Sequence, residues 1–173
     1  MIAQQGWVGG VLLLALLACA SANDLRRHRI PNALVLIGIA LGITGQVASD
    51  GWFGLGNGLL GALIGFAIFI PLYALGGMAA GDVKLMAMVG TFMAPQQALL
   101  ASLLALMAGG VGGLLLIAVH GQLRQTLIRY TVMLGTHRYL VPAKDEVAGK
   151  RFPYAIAILL GTLGSMLWFE FAR

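Results

Sequence analysis

Two aspartates, Asp24 and Asp82, are the residues of this chain best suited to do chemistry. Each lies at the edge of an apolar stretch, and ionisable groups at a membrane boundary are costly unless they are solvated or paired. Two carboxyl groups brought close together cannot both ionise easily, so they share one proton. The ionised partner can then take a proton from water while the protonated partner polarises a carbonyl group. The pair therefore suits acid–base hydrolysis, which needs no metal ion.

Each aspartate also has a purely structural interpretation. Asp24 can form a salt bridge along its own helix, because Arg27 and His28 follow at i+3 and i+4. Asp82 can cap the N-terminus of a helix, where an acceptor and a negative charge are both favourable. Neither interpretation explains why both acids lie at the same membrane depth, so the two together favour catalysis.

The residues around Asp82 are small. The run from Gly76 to Lys84 reads GGMAAGDVK, and it includes Ala79, Ala80 and Gly81. So little side-chain bulk lets a peptide approach the carboxylate closely, although small residues also serve helix packing in membranes. Lys84 is two residues from Asp82, hence on another helix face, and is expected to contact lipid headgroups.

The composition identifies the elements that must hold these residues. Hydrophobic side chains make up 60% of the 173 residues and charged ones only 10%, whereas a soluble domain has about 25% charged residues. The chain is therefore predicted to be an all-α polytopic membrane bundle, a single domain over residues 1–173. Its basic residues are interpreted as topology signals and lipid contacts, with no nucleic-acid partner. The single cysteine, Cys19, excludes an internal disulfide and a CxxC zinc site.

Hydropathy predicts about six transmembrane helices. The apolar stretches are residues 7–22, 31–48, 55–75, 83–93, 96–119 and 153–170. The fourth stretch reaches only about 16 Å, roughly half of the hydrocarbon core. It must therefore extend into its flanks or lie against a water-filled cavity.

The distribution of Lys and Arg predicts the orientation. Ten of the eleven basic residues fall in the loops after the first, third and fifth stretches, which makes those loops cytoplasmic. Asp24 and Asp82 then both lie at the cytoplasmic face, and both termini are periplasmic. The segment 120–152 is cytoplasmic, and its part from Gln122 to Gly135 has the spacing of an interfacial amphipathic helix.

Two motifs carry a resemblance to a known family. The run from Asp24 to Asn32 reads DLRRHRIPN, and Ala80 to Lys84 reads AGDVK. Together they resemble the prepilin peptidases, membrane aspartic proteases with a GxGD motif, and most closely the short form that serves Flp/Tad-type pili. The proline-containing entry to the last stretch, at Pro153 and Tyr154, is also similar to that family.

The resemblance implies roles for particular residues. Both motif aspartates are catalytic in the family, which assigns catalysis to Asp24 and Asp82. The remaining motif positions are expected to bind substrate or support the active site: Ala79, Ala80, Gly81, Lys84, Pro31, Asn32, Pro153 and Tyr154. No cofactor and no metal site are implied.

The chain departs from the family pattern in two ways. Ala79 replaces the first glycine of GxGD, and alanine adopts a positive φ only at a cost, which bears on the backbone path at this position. Longer relatives also carry a cysteine-rich zinc-binding region and methylate the new terminus. With one cysteine, this chain shows no basis for methyl transfer.

The expected function is thus an endopeptidase of the bacterial inner membrane. The resemblance implies that it removes the leader of prepilins or pseudopilins at the cytoplasmic face. The alternative is a small proton-coupled transporter or channel subunit that uses Asp24 and Asp82 as a relay. A relay needs polar groups through the membrane, and the interiors of these stretches have almost none. A purely structural assembly subunit would not require both aspartates.

Overall fold

A computed structural model describes residues 2–119 and 153–171, and this part of the chain contains helices and no strand. The helices are α1 (Ile2–Arg27), α2 (Asn32–Ala74), α3 (Ala80–Thr91), α4 (Pro95–Val119) and α5 (Tyr154–Phe171). Four of them, all except α3, are long and apolar enough to cross a membrane. The all-α class is therefore confirmed for the described residues. The predicted amphipathic helix from Gln122 to Gly135 lies outside them.

The chain divides into two compact units, residues 1–108 with 153–173, and residues 109–152. The candidate site belongs entirely to the first unit. The described part of the second unit, residues 109–119, is helical and forms the end of α4.

Helix α2 folds back on itself at Gly51. A straight helix of 43 residues would be about 65 Å long, about twice the thickness of a hydrocarbon core. Gly51 has φ 58° and ψ −132°, a conformation that is essentially restricted to glycine. A Cβ atom at Gly54 would meet the carbonyl group of Gln46, and one at Gly58 would lie 3.1 Å from Ile43. The two halves therefore pack side by side. The apolar stretches 31–48 and 55–75 predict a loop over residues 49–54 between them, and this prediction is wrong, because only Gly51 leaves the helical conformation there.

The short helix α3 is enclosed by the two halves of α2. Glycines make this possible: the backbones of Gly61 and Gly90 touch, and a Cβ atom at Gly65 would lie 2.6 Å from the carbonyl oxygen of Met86. Between helices in a membrane, attraction comes from close van der Waals packing and not from the hydrophobic effect, so small residues at the contact are favourable. The apolar side chains of α3 are buried almost completely: Val83, Leu85, Met86, Met88 and Val89. The fourth apolar stretch, residues 83–93, is too short to span a bilayer by itself, and in the structure it is surrounded by protein.

Helix α5 packs against both α1 and α4. A Cβ atom at Gly10 of α1 would lie 2.9 Å from the Met166 side chain. On the other side, the Ser165 hydroxyl donates to the carbonyl oxygen of Gln97 at 2.9 Å, and Gly161 lies against Ala105. These contacts fix the second half of α5 along α1 and α4.

Candidate active site

Asp24 is buried in the last turn of α1, with 7% of its surface exposed. Its Oδ2 atom accepts a hydrogen bond from the backbone N–H of Ala155, 3.3 Å away, in the first turn of α5. The first N–H groups of a helix have no partner within the helix and carry partial positive charge. The side chain is therefore turned into the bundle, towards α5, whereas Arg27 and His28 are exposed.

Asp82 is equally buried, at 5% exposure, in the first turn of α3. Its Oδ2 atom accepts a hydrogen bond from the backbone N–H of Ala79 at 3.1 Å. Ala79 is the N-cap residue of α3, so the interpretation of Asp82 as the N-cap itself is wrong by three positions. The carboxylate instead closes the first turn from within the helix, in the manner of the acidic residue of a capping box.

The first turn of α5 contacts Asp24 and adds an aromatic side chain next to that contact. Tyr154 directly precedes Ala155, whose N–H donates to Asp24. Phe69, which is fully buried, holds the Tyr154 ring in an edge-on contact with centroids 6.0 Å apart. Helix α3, which carries Asp82 in its first turn, also packs against α5.

The segment between α1 and α2 forms a basic rim beside Asp24. Arg26, Arg27, His28 and Arg29 are all exposed. His28 ends α1 with φ 48° and donates its backbone N–H to the carbonyl oxygen of Asp24 at 2.8 Å. That left-handed conformation stops the helix one turn after the aspartate.

Three of the predicted supporting residues meet at the start of α2. Pro31 is the N-cap of α2, in extended conformation, and its carbonyl oxygen accepts a hydrogen bond from the N–H of Val35. Asn32 accepts a hydrogen bond at 3.2 Å from the Lys84 ammonium group through Oδ1. Lys84 thus joins α3 to α2 through this hydrogen bond. Its contact with lipid headgroups stays a prediction.

The small residues before Asp82 have ordinary geometry. Ala79 has φ −85° and ψ 152°, an extended conformation that alanine adopts without strain, so the departure from glycine is tolerated. Ala80 begins α3. A Cβ atom at Gly81 would lie 3.4 Å from Ile30, which is ordinary contact, so this position faces the segment between α1 and α2.

Pro153, the last of the predicted supporting residues, directly precedes α5, and its carbonyl oxygen accepts a hydrogen bond from the N–H of Ile156 at 3.3 Å.

Three groups that contact the predicted site residues were missed from the sequence: the Ala155 amide, the Phe69 ring and the Ile30 side chain. Every residue except proline has a backbone amide, so the sequence cannot indicate which amide binds a carboxylate. Phe69 and Ile30 are apolar residues of the kind found throughout these helices. Within residues 2–119 and 153–171, no group of three His, Cys, Asp or Glu side chains could hold a metal ion.

The sequence profile of the Type IV leader peptidase family matches residues 11–114, more than half of the chain. The chain belongs to this family. The matched range contains both aspartates and ends before α5. Neither a curated protein nor a solved structure matches the chain.

Membership in the leader peptidase family identifies the chain as a membrane-integral peptidase. Peptidases of this family are of the aspartic type and act on prepilin-like precursors, from which they remove the leader peptide. The family match thus supports the peptidase interpretation, and it gives the proton relay no support.

Proposed function

We propose that this leader peptidase cleaves Flp-type prepilins or pseudopilins at the cytoplasmic face of the inner membrane, with Asp24 and Asp82 as its catalytic pair. The observation that carries the proposal is the burial of both carboxylates at helix ends, Asp24 in the last turn of α1 and Asp82 in the first turn of α3. Two buried acids on separate helices are expensive in a membrane unless they serve a function.

The chemistry requires one proton shared between the two carboxyl groups. The ionised carboxylate takes a proton from a water molecule as its oxygen attacks the scissile carbonyl carbon. The protonated carboxyl donates its proton to the carbonyl oxygen, which gives a neutral tetrahedral diol. The C–N bond then breaks, the leaving amine takes the proton held by the first carboxyl, and the second regains its proton from the diol. The pair returns to its starting state, and no metal ion takes part.

The cytoplasmic orientation is supported by the basic rim. Arg26, Arg27 and Arg29 follow Asp24 directly and are exposed, and Lys84 follows Asp82. Such residues concentrate on the cytoplasmic side of membrane proteins. With the two halves of α2 counted separately and α3 crossing within the protein, the chain has six crossings and both termini are periplasmic.

The substrate fits this arrangement by its own polarity. In the proposal, the polar leader of the precursor stays at the cytoplasmic surface, and the apolar helix that follows it lies against the exposed apolar faces of the bundle. The scissile bond between them then reaches the depth of Asp24 and Asp82. Ala79, Ala80 and Gly81 add little bulk beside Asp82, which supports close approach of an extended peptide.

The proposed specificity rests on the motifs shared with the short, Flp-type enzymes. The absence of methyl transfer is proposed for a separate reason. Cys19, the one cysteine in the sequence, cannot form the zinc-binding region of the longer enzymes.

Co-expression tests both points. The chain is produced together with an Flp-type precursor or with a longer type IV prepilin, and the new N-terminus is analysed by mass spectrometry. The proposal expects removal of the Flp-type leader and an unmethylated terminus. Cleavage of the type IV precursor alone, or a product heavier by one methyl group, would contradict it.

A further inference from the structure

Two buried hydroxyl groups differ from all the others in the described helices. Residues 2–119 and 153–171 contain seven serines and threonines, and five of them donate to a backbone carbonyl oxygen. The other two, Ser21 and Thr162, have buried hydroxyl oxygens without a hydrogen-bond partner in this part of the chain. A buried hydroxyl without a partner costs about 1–3 kcal/mol, so its presence calls for an explanation.

Ser21 is the more informative of the two because of its position. It lies in α1 three residues before Asp24, which is about one helical turn, and only 6% of its surface is exposed. Residues three apart share a helix face, and helical side chains lean towards the N-terminus, over the preceding turn. Ser21 and Asp24 therefore share one face of α1, and both are buried there.

The Asp24 carboxylate has room for a second donor. Its Oδ2 atom accepts from the Ala155 N–H, and a carboxylate offers two oxygens with about four acceptor positions in all. Serine has three staggered side-chain rotamers, and the Ser21 hydroxyl is not committed to a carbonyl of its own helix. A change of rotamer can thus turn the hydroxyl towards Oδ1.

We propose that Ser21 is a positioning residue for the peptidase reaction, whose hydroxyl donates a hydrogen bond to Oδ1 of Asp24 and orients that carboxylate towards Asp82. The proposal rests on the catalytic role proposed for Asp24. A hydrogen bond to a charged carboxylate is stronger than one between neutral groups. With the Ala155 amide on one oxygen and Ser21 on the other, the plane of the carboxylate is fixed while the proton moves.

The first test uses the full chain in detergent with a cleavable precursor. Ser21→Ala is expected to lower kcat by about 10-fold or more, the effect of one charge-assisted hydrogen bond, with KM nearly unchanged. Ser21→Thr, which keeps the hydroxyl, is expected to recover most of the loss. Ser102→Ala and Thr162→Val are matched controls that remove a buried hydroxyl elsewhere, and both should retain wild-type kcat.

Normal kcat in Ser21→Ala, or equal impairment of Ser21→Thr, would overturn the proposal. A fall in thermal stability that parallels the fall in activity would also overturn it, because Ser21 would then serve packing alone. Infrared spectroscopy gives a second readout that does not depend on turnover. The carboxylate band that disappears in Asp24→Asn should shift in Ser21→Ala and not in Ser102→Ala. An unshifted band contradicts the role of Ser21, whereas a wild-type chain that cuts no precursor contradicts the proposed function itself.

Discussion

Asp24 and Ala155 are 131 positions apart in the sequence and are joined by a hydrogen bond from the Ala155 amide to the Asp24 carboxylate. This bond connects the last turn of α1 to the first turn of α5. It satisfies a helix-terminal amide that has no partner within α5, and it gives a buried carboxylate a donor. The site therefore depends on the docking of α5 as much as on the two motifs that contain the aspartates.

Tyr154 is expected to contribute to cleavage through its hydroxyl group, because it is partly buried and directly precedes Ala155, whose N–H donates to Asp24. Tyr154→Phe keeps the edge-on contact with Phe69 and removes only the hydroxyl. Cleavage should fall by about 10-fold, which corresponds to about 1.4 kcal/mol of transition-state stabilisation, while thermal stability in detergent stays the same. Tyr73→Phe is the matched control, because Tyr73 is exposed on α2. Full activity of Tyr154→Phe would limit Tyr154 to a packing role.

The glycine motif gives a graded prediction. Ala79→Gly should be close to neutral for cleavage, because residue 79 has a negative φ that both residues adopt. Gly81→Ala should also fold and cleave, since the added Cβ atom lies 3.4 Å from Ile30. Gly81→Val must displace Ile30 and the segment beside Asp24, so cleavage should be lost. These rates are normalised to the amount of each variant in the membrane, and full activity in Gly81→Val would show that this side of Asp82 is not critical.

The close contact between Gly61 and Gly90 should contribute to the stability of the fold. A Cβ atom at Gly90 would overlap the carbonyl group of Gly61 and lie 2.7 Å from the amide nitrogen of Ala62. Overpacking of this kind costs about 1–3 kcal/mol, so Gly90→Ala should lower the melting temperature measured by size-exclusion chromatography after heating. Gly45→Ala is the control, because a Cβ atom there meets nothing within 4 Å. Equal melting temperatures for the two variants would contradict the close approach of α3 to α2.

The orientation can be tested with single cysteines in a Cys19→Ala background. Cysteines at positions 50 and 96 replace exposed residues near the fold of α2 and the start of α4. Both should react in intact cells with a thiol reagent that does not cross the inner membrane. A cysteine at Arg138 should react only after the membrane is opened. Labelling of position 138 in intact cells would reverse the charge-based topology.

The helical class followed from the sequence, whereas the roles of the site residues stay predictions. The composition predicted an all-helical membrane protein, and the ends of the apolar stretches placed Asp24 and Asp82 at one depth. In the structure both aspartates are buried at helix ends, and Tyr154 begins α5. These features were accessible because hydropathy and motif spacing report directly on helices and on their ends.

Other features could not be predicted because they depend on tertiary contacts. The chain reverses direction at the single residue Gly51, whereas the hydropathy pattern predicted a loop of several residues. The enclosure of α3 depends on glycine contacts between helices, such as Gly65 with Met86, which hydropathy does not report. The Ala155 amide binds Asp24 and the Phe69 ring packs against Tyr154. Neither contact could be predicted, because alanine and phenylalanine are common in apolar helices and do not indicate a site.

The most direct test of the account is precursor cleavage by Asp24→Asn and Asp82→Asn. Each amide keeps the size of the side chain and removes the acid–base chemistry. Both variants should reach wild-type levels in the membrane and leave the leader uncut, as scored by the mobility of the precursor on a gel. Asp50→Asn, which changes an exposed aspartate far from the site in sequence, should process the precursor at the wild-type rate. Normal maturation by either Asp24→Asn or Asp82→Asn would contradict the two-aspartate mechanism.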